Sequence, residues 1–206
     1  MALHGRQTFL TAIGLSLTVT GLAVTLLITR ADDAAQGDAY LQVDHITDER
    51  RWYYDDLGLL PVMVRGEISH PWRLDGLQLR TAGPKVVARV NIGLIGFYAG
   101  PHVHIVDALG LADPLLARLP TSAAPATMMA GHYRRDVPAG YLETIASGDN
   151  QIADASLAAY YDRIHLVVAG PLWSAERLRT IVGLHLGRYD HHRDAYVAAK
   201  RGLEVD

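Results

Sequence analysis

Lys85-Val86-Val87-Ala88-Arg89-Val90, then Asn91-Ile92-Gly93-Leu94-Ile95-Gly96-Phe97-Tyr98-Ala99-Gly100, then Val103-His104-Ile105-Val106-Asp107 and Asp113-Pro114-Leu115-Leu116-Ala117-Arg118-Leu119 is the stretch that decides the fold. The first run is β-branched and bounded by Gly83-Pro84, which reads as a strand; the third is a second apolar strand. The glycine-containing run between them has the length of a short buried helix. Asp113 with Pro114 at the next position opens a further helix, aspartate capping the free N–H groups and proline fitting the first turn. Strand, helix, strand, helix in this order is a βαβα unit with a parallel pair. Gly93, Gly96 and Gly100 give neither a dinucleotide fingerprint nor a phosphate loop, so close packing of the helix on the sheet accounts for them better than a nucleotide does.

Outward from this unit the chain punctuates itself into short elements. On the N-terminal side, Thr47-Asp48-Glu49 opens a helix running to about Leu57, with threonine as its cap and Trp52 or Tyr53 turned to the core. Val62 to Ile68 is a short strand candidate, His70-Pro71-Trp72 and Asp75-Gly76 read as turns, and Leu77-Gln78-Leu79 alternates like a strand. On the C-terminal side, residues 121–127 form an Ala/Pro/Ser/Thr-rich loop, and 141–147 and 154–161 look helical. Ile164–Val168 is a strand candidate. Ser174 caps a helix with Leu178, Ile181, Val182 and His185 on one face, and a polar tail with Tyr189-Asp190-His191-His192-Arg193 follows.

Composition bounds what this fold can do. The 206 residues carry a net charge of −3 and no cysteine, which excludes disulfide frameworks, iron–sulfur and cysteine zinc sites and thiol catalysis. No cofactor is expected, and such a weak acidic charge argues against nucleic acid as a partner. Mean hydropathy is nevertheless +0.09, high for 20% charged residues. The excess is local: Thr8 to Thr29 runs 22 residues without a charge, bracketed by Arg6 and Arg30. That is the length of a bilayer-spanning helix. Its six threonines dilute the apolarity, but their hydroxyls can bond back to helix carbonyls. A cleaved signal peptide is the rival reading, and the length of the apolar run favours retention.

The expected organisation is therefore a cytoplasmic tail at 1–7, a transmembrane helix at 8–29, a tether at 30–46 and one mixed domain, α/β or α+β, at 47–206. Residues 31–206 hold 17 of the 19 basic groups and all 22 acidic ones, so this domain is expected to stand off anionic headgroups rather than lie on them.

Candidate site residues cluster beside the βαβα unit, where strand C-termini usually present ligand sites: Asp107 at a strand end, Asp113 at a helix start, and His132 and Arg135 in the following loop, with Arg134 between them. The competing structural roles are a cap for Asp113 and an acid partner for Arg135. His102, His104 and Asp107 could form an N/N/O metal set on a strand, but no paired-histidine helix motif supports one, and no metal is expected. No nucleophile elbow is present.

The run Asn91 to Pro101, Ile105-Val106-Asp107, Gly110-Leu111-Ala112-Asp113-Pro114-Leu115, and Gly131-His132 with Pro138-Ala139-Gly140-Tyr141 resembles the extracytoplasmic C-terminal domain of polytopic bacterial membrane glycosyltransferases, the terminal arabinofuranosyltransferase-like enzymes and their relatives. Thr47 to Arg50 and Gly187-Arg188-Tyr189-Asp190 extend the resemblance over roughly residues 45–190. It implies a single-pass protein of the bacterial plasma membrane with residues 31–206 outside. The implied function is that of an acceptor-side domain binding a cell-envelope glycan, as a fragment or split subunit of an enzyme that uses a polyprenyl-phosphate sugar. The family's catalytic carboxylates lie between membrane helices that these 206 residues do not contain, so no catalytic residue carries over. Expected partners are the lipid bilayer, a cell-envelope glycan and a polytopic membrane protein. Asp107, Asp113, His132 and Arg135 would line the groove, with Trp52, Tyr98 or Tyr141 as stacking platforms. The alternatives are a structural or assembly module docking on a membrane protein, and an exported hydrolase using His132.

Overall fold

The computed structural model describes residues 11–23, 42–43, 46–122 and 131–203, and the chain divides into two units at Asp44. In the first unit residues 11–23 form helix α1, exposed along its length. Thr18 Oγ1 donates to the Gly14 carbonyl at 2.9 Å, the back-bonding expected of these threonines. The described part of the helix spans about 20 Å at 1.5 Å per residue, against a hydrocarbon core about 30 Å thick. Among the described residues no helix is long and apolar enough to cross a membrane, so the predicted transmembrane helix is not supported by them. Positions 8–10 and 24–29 of that span lie outside the described residues, as do the tail 1–7 and most of the 30–46 tether. A two-residue strand β1, Gln42–Val43, completes this unit.

The second unit is a mixed α/β domain dominated by helices. It opens with strand β2, Ile46–Thr47, and helices α2, Glu49–Leu57, α3, Leu59–Arg65, and α4, Pro71–Thr81. Asp48, not threonine, caps α2, its Oδ1 accepting from the Arg51 N–H at 3.1 Å. The expected strand at 62–68 is helical as far as Arg65, and that at 77–79 lies within α4. His70 caps α4 by accepting from the Trp72 N–H at 3.2 Å, and Pro71 occupies the first turn. The turn signals at 70–72 thus mark a helix start. Tyr53, rather than the exposed Trp52, turns inward, its ring 5.4 Å from that of Trp72.

The βαβ prediction holds. Strand β3, Lys85–Arg89, pairs in parallel with β4, Val103–Asp107, in the register Lys85↔Val103 to Arg89↔Asp107, and helix α5, Gly93–Ala99, connects them. The close-packing glycine, however, is on α4. A methyl group on Gly76 would lie 2.5 Å from the Ile95 carbonyl oxygen and 2.7 Å from Tyr98 Cβ, whereas one on Gly93 would meet nothing within 4 Å. Leu79, Ile95 and Ala99 are buried between α4, α5 and the sheet. The helix predicted at 113–119 tightens into a 3-10 turn, Leu116–Arg118, capped from Asp113.

Helices α6, Tyr141–Ser147, α7, Ala155–Ala169, α8, Ala175–His185, and α9, Asp190–Leu203, follow. Helix α7 absorbs the strand predicted at 164–168: Leu157, Tyr160, Tyr161 and Ile164 form one buried face at helical spacing, and β-branched content alone misleads there. Helix α9 occupies what reads as a polar tail. These helices close the main core, in which Val106, Leu115, Leu116, Tyr141, Leu157, Tyr160 and Ile164 are almost fully buried. Each such side chain contributes about 1.5–3 kcal/mol by leaving water. On α8 the inward positions are Thr180 and Gly183, while Leu178 and Val182 stay exposed, the reverse of the expected face.

Candidate functional site

The chain leaves β4 through Asp107, whose carboxylate is consumed by its own loop. Oδ1 accepts from the Leu109 N–H at 2.9 Å, and Oδ2 accepts from those of Leu111 and Ala112, both at 2.8 Å. Arg135 closes the same loop from outside: its N–H donates to the Ala108 carbonyl at 2.8 Å, and its guanidinium donates to the carbonyls of Leu109 and Tyr133. Gly110 makes room for this clamp, with φ +68° and the Arg135 side chain packed where a Cβ would stand. Asp107 and Arg135 therefore shape a loop and are absent from the lining of the cavity described below. Asp107 is also removed from the N/N/O metal set. Among the described residues no group of three or more His, Asp or Glu is placed to hold a metal. His132 turns to α2, its Nε2 3.7 Å from Glu49 Oε1. Trp52 and Tyr98 likewise lie away from the cavity described next.

The loop that Asp107 organises delivers Asp113 to the wall of a cavity of about 480 Å³ between β4, α6 and α7. Asp113 is buried and caps the 3-10 turn, its Oδ1 accepting from the N–H groups of Leu115 at 3.0 Å and Leu116 at 2.7 Å. The structural role weighed for Asp113 is thus real, and it coexists with a place in the cavity. Tyr141, the first residue of α6, donates its hydroxyl to the same carboxylate, 3.2 Å from Oδ1 and 3.0 Å from Oδ2. Burial raises the Asp113 pKa above the ordinary carboxylate value, opposed by these hydrogen bonds and by His104. Burial, reinforced by the adjacent carboxylate, pushes the Tyr141 phenol upward, so it remains a neutral donor.

Aromatic rings complete the cavity. Tyr161 meets Tyr141 edge-on, with centroids 5.6 Å apart, and stacks on His165 at 5.6 Å with their planes 9° apart. Residues 161 and 165 are one helical turn apart on α7, so the helix itself builds the stack. His104 on β4 and His165 are exposed at the rim, and Ile145 and Ile164 supply apolar wall. A buried acid behind a phenol, two rim imidazoles and a stacked aromatic face make a concave surface with hydrogen-bonding groups beside ring planes.

Of the four residues predicted for the groove, only Asp113 lines this cavity, joined by Tyr141 from the predicted stacking platforms. His104 enters as a rim group rather than a ligand of metal. Tyr161 and His165 were missed because a strand reading at 164–168 separates two residues that a continuous helix places on one face. No family model matches the chain, and neither the curated proteins nor the solved structures contain a match to it.

Proposed function

We propose that residues 47–206 form the glycan-binding extracytoplasmic domain of a single-pass protein of the bacterial plasma membrane, held there by the apolar segment 8–29. It acts beside a polytopic glycosyltransferase partner that supplies the catalytic carboxylates. The observation that carries this reading is the cavity between Asp113, Tyr141 and the Tyr161–His165 stack. A sugar ring offers an apolar C–H face to such a stack and hydroxyls to the rim imidazoles. The motif resemblance over residues 45–190 supplies the class of ligand, an envelope polysaccharide such as arabinan.

The test is calorimetric titration of the detergent-solubilised full chain with arabinan oligosaccharides and other envelope glycans. Saturable binding, weakened about tenfold by His165→Ala with an unchanged melting temperature, is the expected result for loss of one stacking contact of about 1.4 kcal/mol. Absence of binding to every glycan in the panel overturns the reading.

The second reading, a non-catalytic assembly module, is favoured by α3, whose Leu59, Leu60, Met63 and Val64 are exposed together. Under it, Met63→Glu breaks co-purification with a co-expressed polytopic protein while His165→Ala is silent.

A further inference from the structure

The corner between α7 and α8 carries an apolar surface that none of the described residues covers. Trp173 is 87% exposed, Leu172 65% and Val168 61%. Leu178, Val182 and Leu186 continue the exposure down α8 at four-residue spacing, hence along one face. Arg177 ties the corner together: its Nε donates to the Val167 carbonyl at 2.9 Å and Nη1 to the Leu172 carbonyl at 3.0 Å. Trp173 thus leaves nearly all of its surface outside the domain.

We propose that this corner and the outer face of α8 seat in the interfacial layer of an anionic lipid bilayer. Two observations select lipid over another protein surface. Between Pro171 and Arg188 the charged residues are Arg177, Arg179 and Arg188 against Glu176 alone, a local basic excess in a chain of net charge −3. Tryptophan beside arginine and an apolar helical stripe is the composition that partitions into headgroup regions, where ring and guanidinium both find partners. Moreover, Val168 lines the rim of the cavity as well as belonging to this patch, so the lipid-facing surface begins where the cavity opens. The acidic domain as a whole is repelled by anionic headgroups, and this face is the local exception.

The experiment uses the full chain in nanodiscs whose lipids carry bromine near the headgroup end of the acyl chain, with tryptophan fluorescence as readout. Trp52 and Trp72 are the other two tryptophans, and the exposed Trp52 serves as control. Quenching that is abolished in Trp173→Ala and kept in Trp52→Ala is the expected result. Arg179→Glu should weaken the dependence on anionic lipid about fivefold or more, the size of one basic residue's attraction to an anionic leaflet. Quenching indifferent to Trp173→Ala, or emission from Trp173 typical of water in every lipid mixture, overturns the proposal. Concentration-dependent self-association abolished by Val182→Glu, without quenching, overturns it in favour of a second copy of the chain.

Discussion

Tyr141 and Asp113, twenty-eight residues apart, meet in the core with the phenol hydroxyl bridging both carboxylate oxygens. The contact joins the start of α6 to the 3-10 turn after β4, and it is the polar centre of a region otherwise packed with leucine, isoleucine and tyrosine. A buried carboxylate tolerates such surroundings only with its hydrogen bonds made.

Tyr141→Phe removes the donor and leaves the ring. The fold should lose about 1–3 kcal/mol, the cost of a buried acceptor deprived of a partner. Urea denaturation followed by far-UV circular dichroism measures it, and a change near zero would show that the bridge contributes nothing net.

Asp113→Asn tests the titration. Because the folded carboxyl lies above its ordinary value, protonation favours the folded state. Its contribution is complete below the unfolded value of about 3.9 and is lost as pH rises through the raised folded value. The asparagine variant has no proton to release and should therefore gain stability relative to the parent as pH climbs through the acidic range. Denaturation midpoints of the two proteins between about pH 4 and 7 should diverge; parallel curves would contradict the shift.

The elements that frame this site are legible in the sequence, and of its lining so are Asp113 and Tyr141. The β-branched strands, the short run between them and the helical look of 141–147 are local signals, and local signals predicted β3, α5, β4 and α6. The errors at 77–79 and 164–168 share one cause: leucine, isoleucine and valine runs satisfy strand propensity, while burial of Leu79 and Ile164 against neighbouring elements, which no local window contains, makes them helical. Helix α3, at 62–65, buries none of its residues and owes nothing to that cause. Asp107 and Arg135 were found as important polar residues at the right strand end, but their partners are backbone atoms of a loop. Only the three-dimensional path of residues 108–112 shows that.

Asp107→Asn should be nearly as damaging as Asp107→Ala. The amide can accept on one oxygen only, whereas three N–H groups, those of Leu109, Leu111 and Ala112, are shared between two carboxylate oxygens. A loss on the order of 3 kcal/mol is expected for either variant. Hydrogen exchange at those three amides is the direct measurement, and unchanged protection in the asparagine variant would refute the account.

Arg177→Lys keeps the charge and discards the fork. Lysine cannot reproduce the two separate carbonyl contacts, so the α7–α8 corner should loosen at a cost of about 1 kcal/mol in thermal stability. Proteolysis at residues 170–174 should accelerate in the variant, and an unchanged cleavage rate would show that the corner is held by other contacts.

Gly76→Ala adds a methyl group where the Ile95 carbonyl stands, and α4 must separate from α5. A penalty of about 1–3 kcal/mol follows from overpacking, and thermal unfolding would detect it.

The same glycine governs the order in which the domain can assemble. A parallel pair cannot zip from a hairpin: β4 reaches β3 only after residues 90–102, with α5 among them, have crossed over. The surface that receives α5 during that crossing is α4, at Gly76. Docking of α5 is then a condition for forming the sheet, so widening that seam should lower the refolding rate as well as raise the unfolding rate.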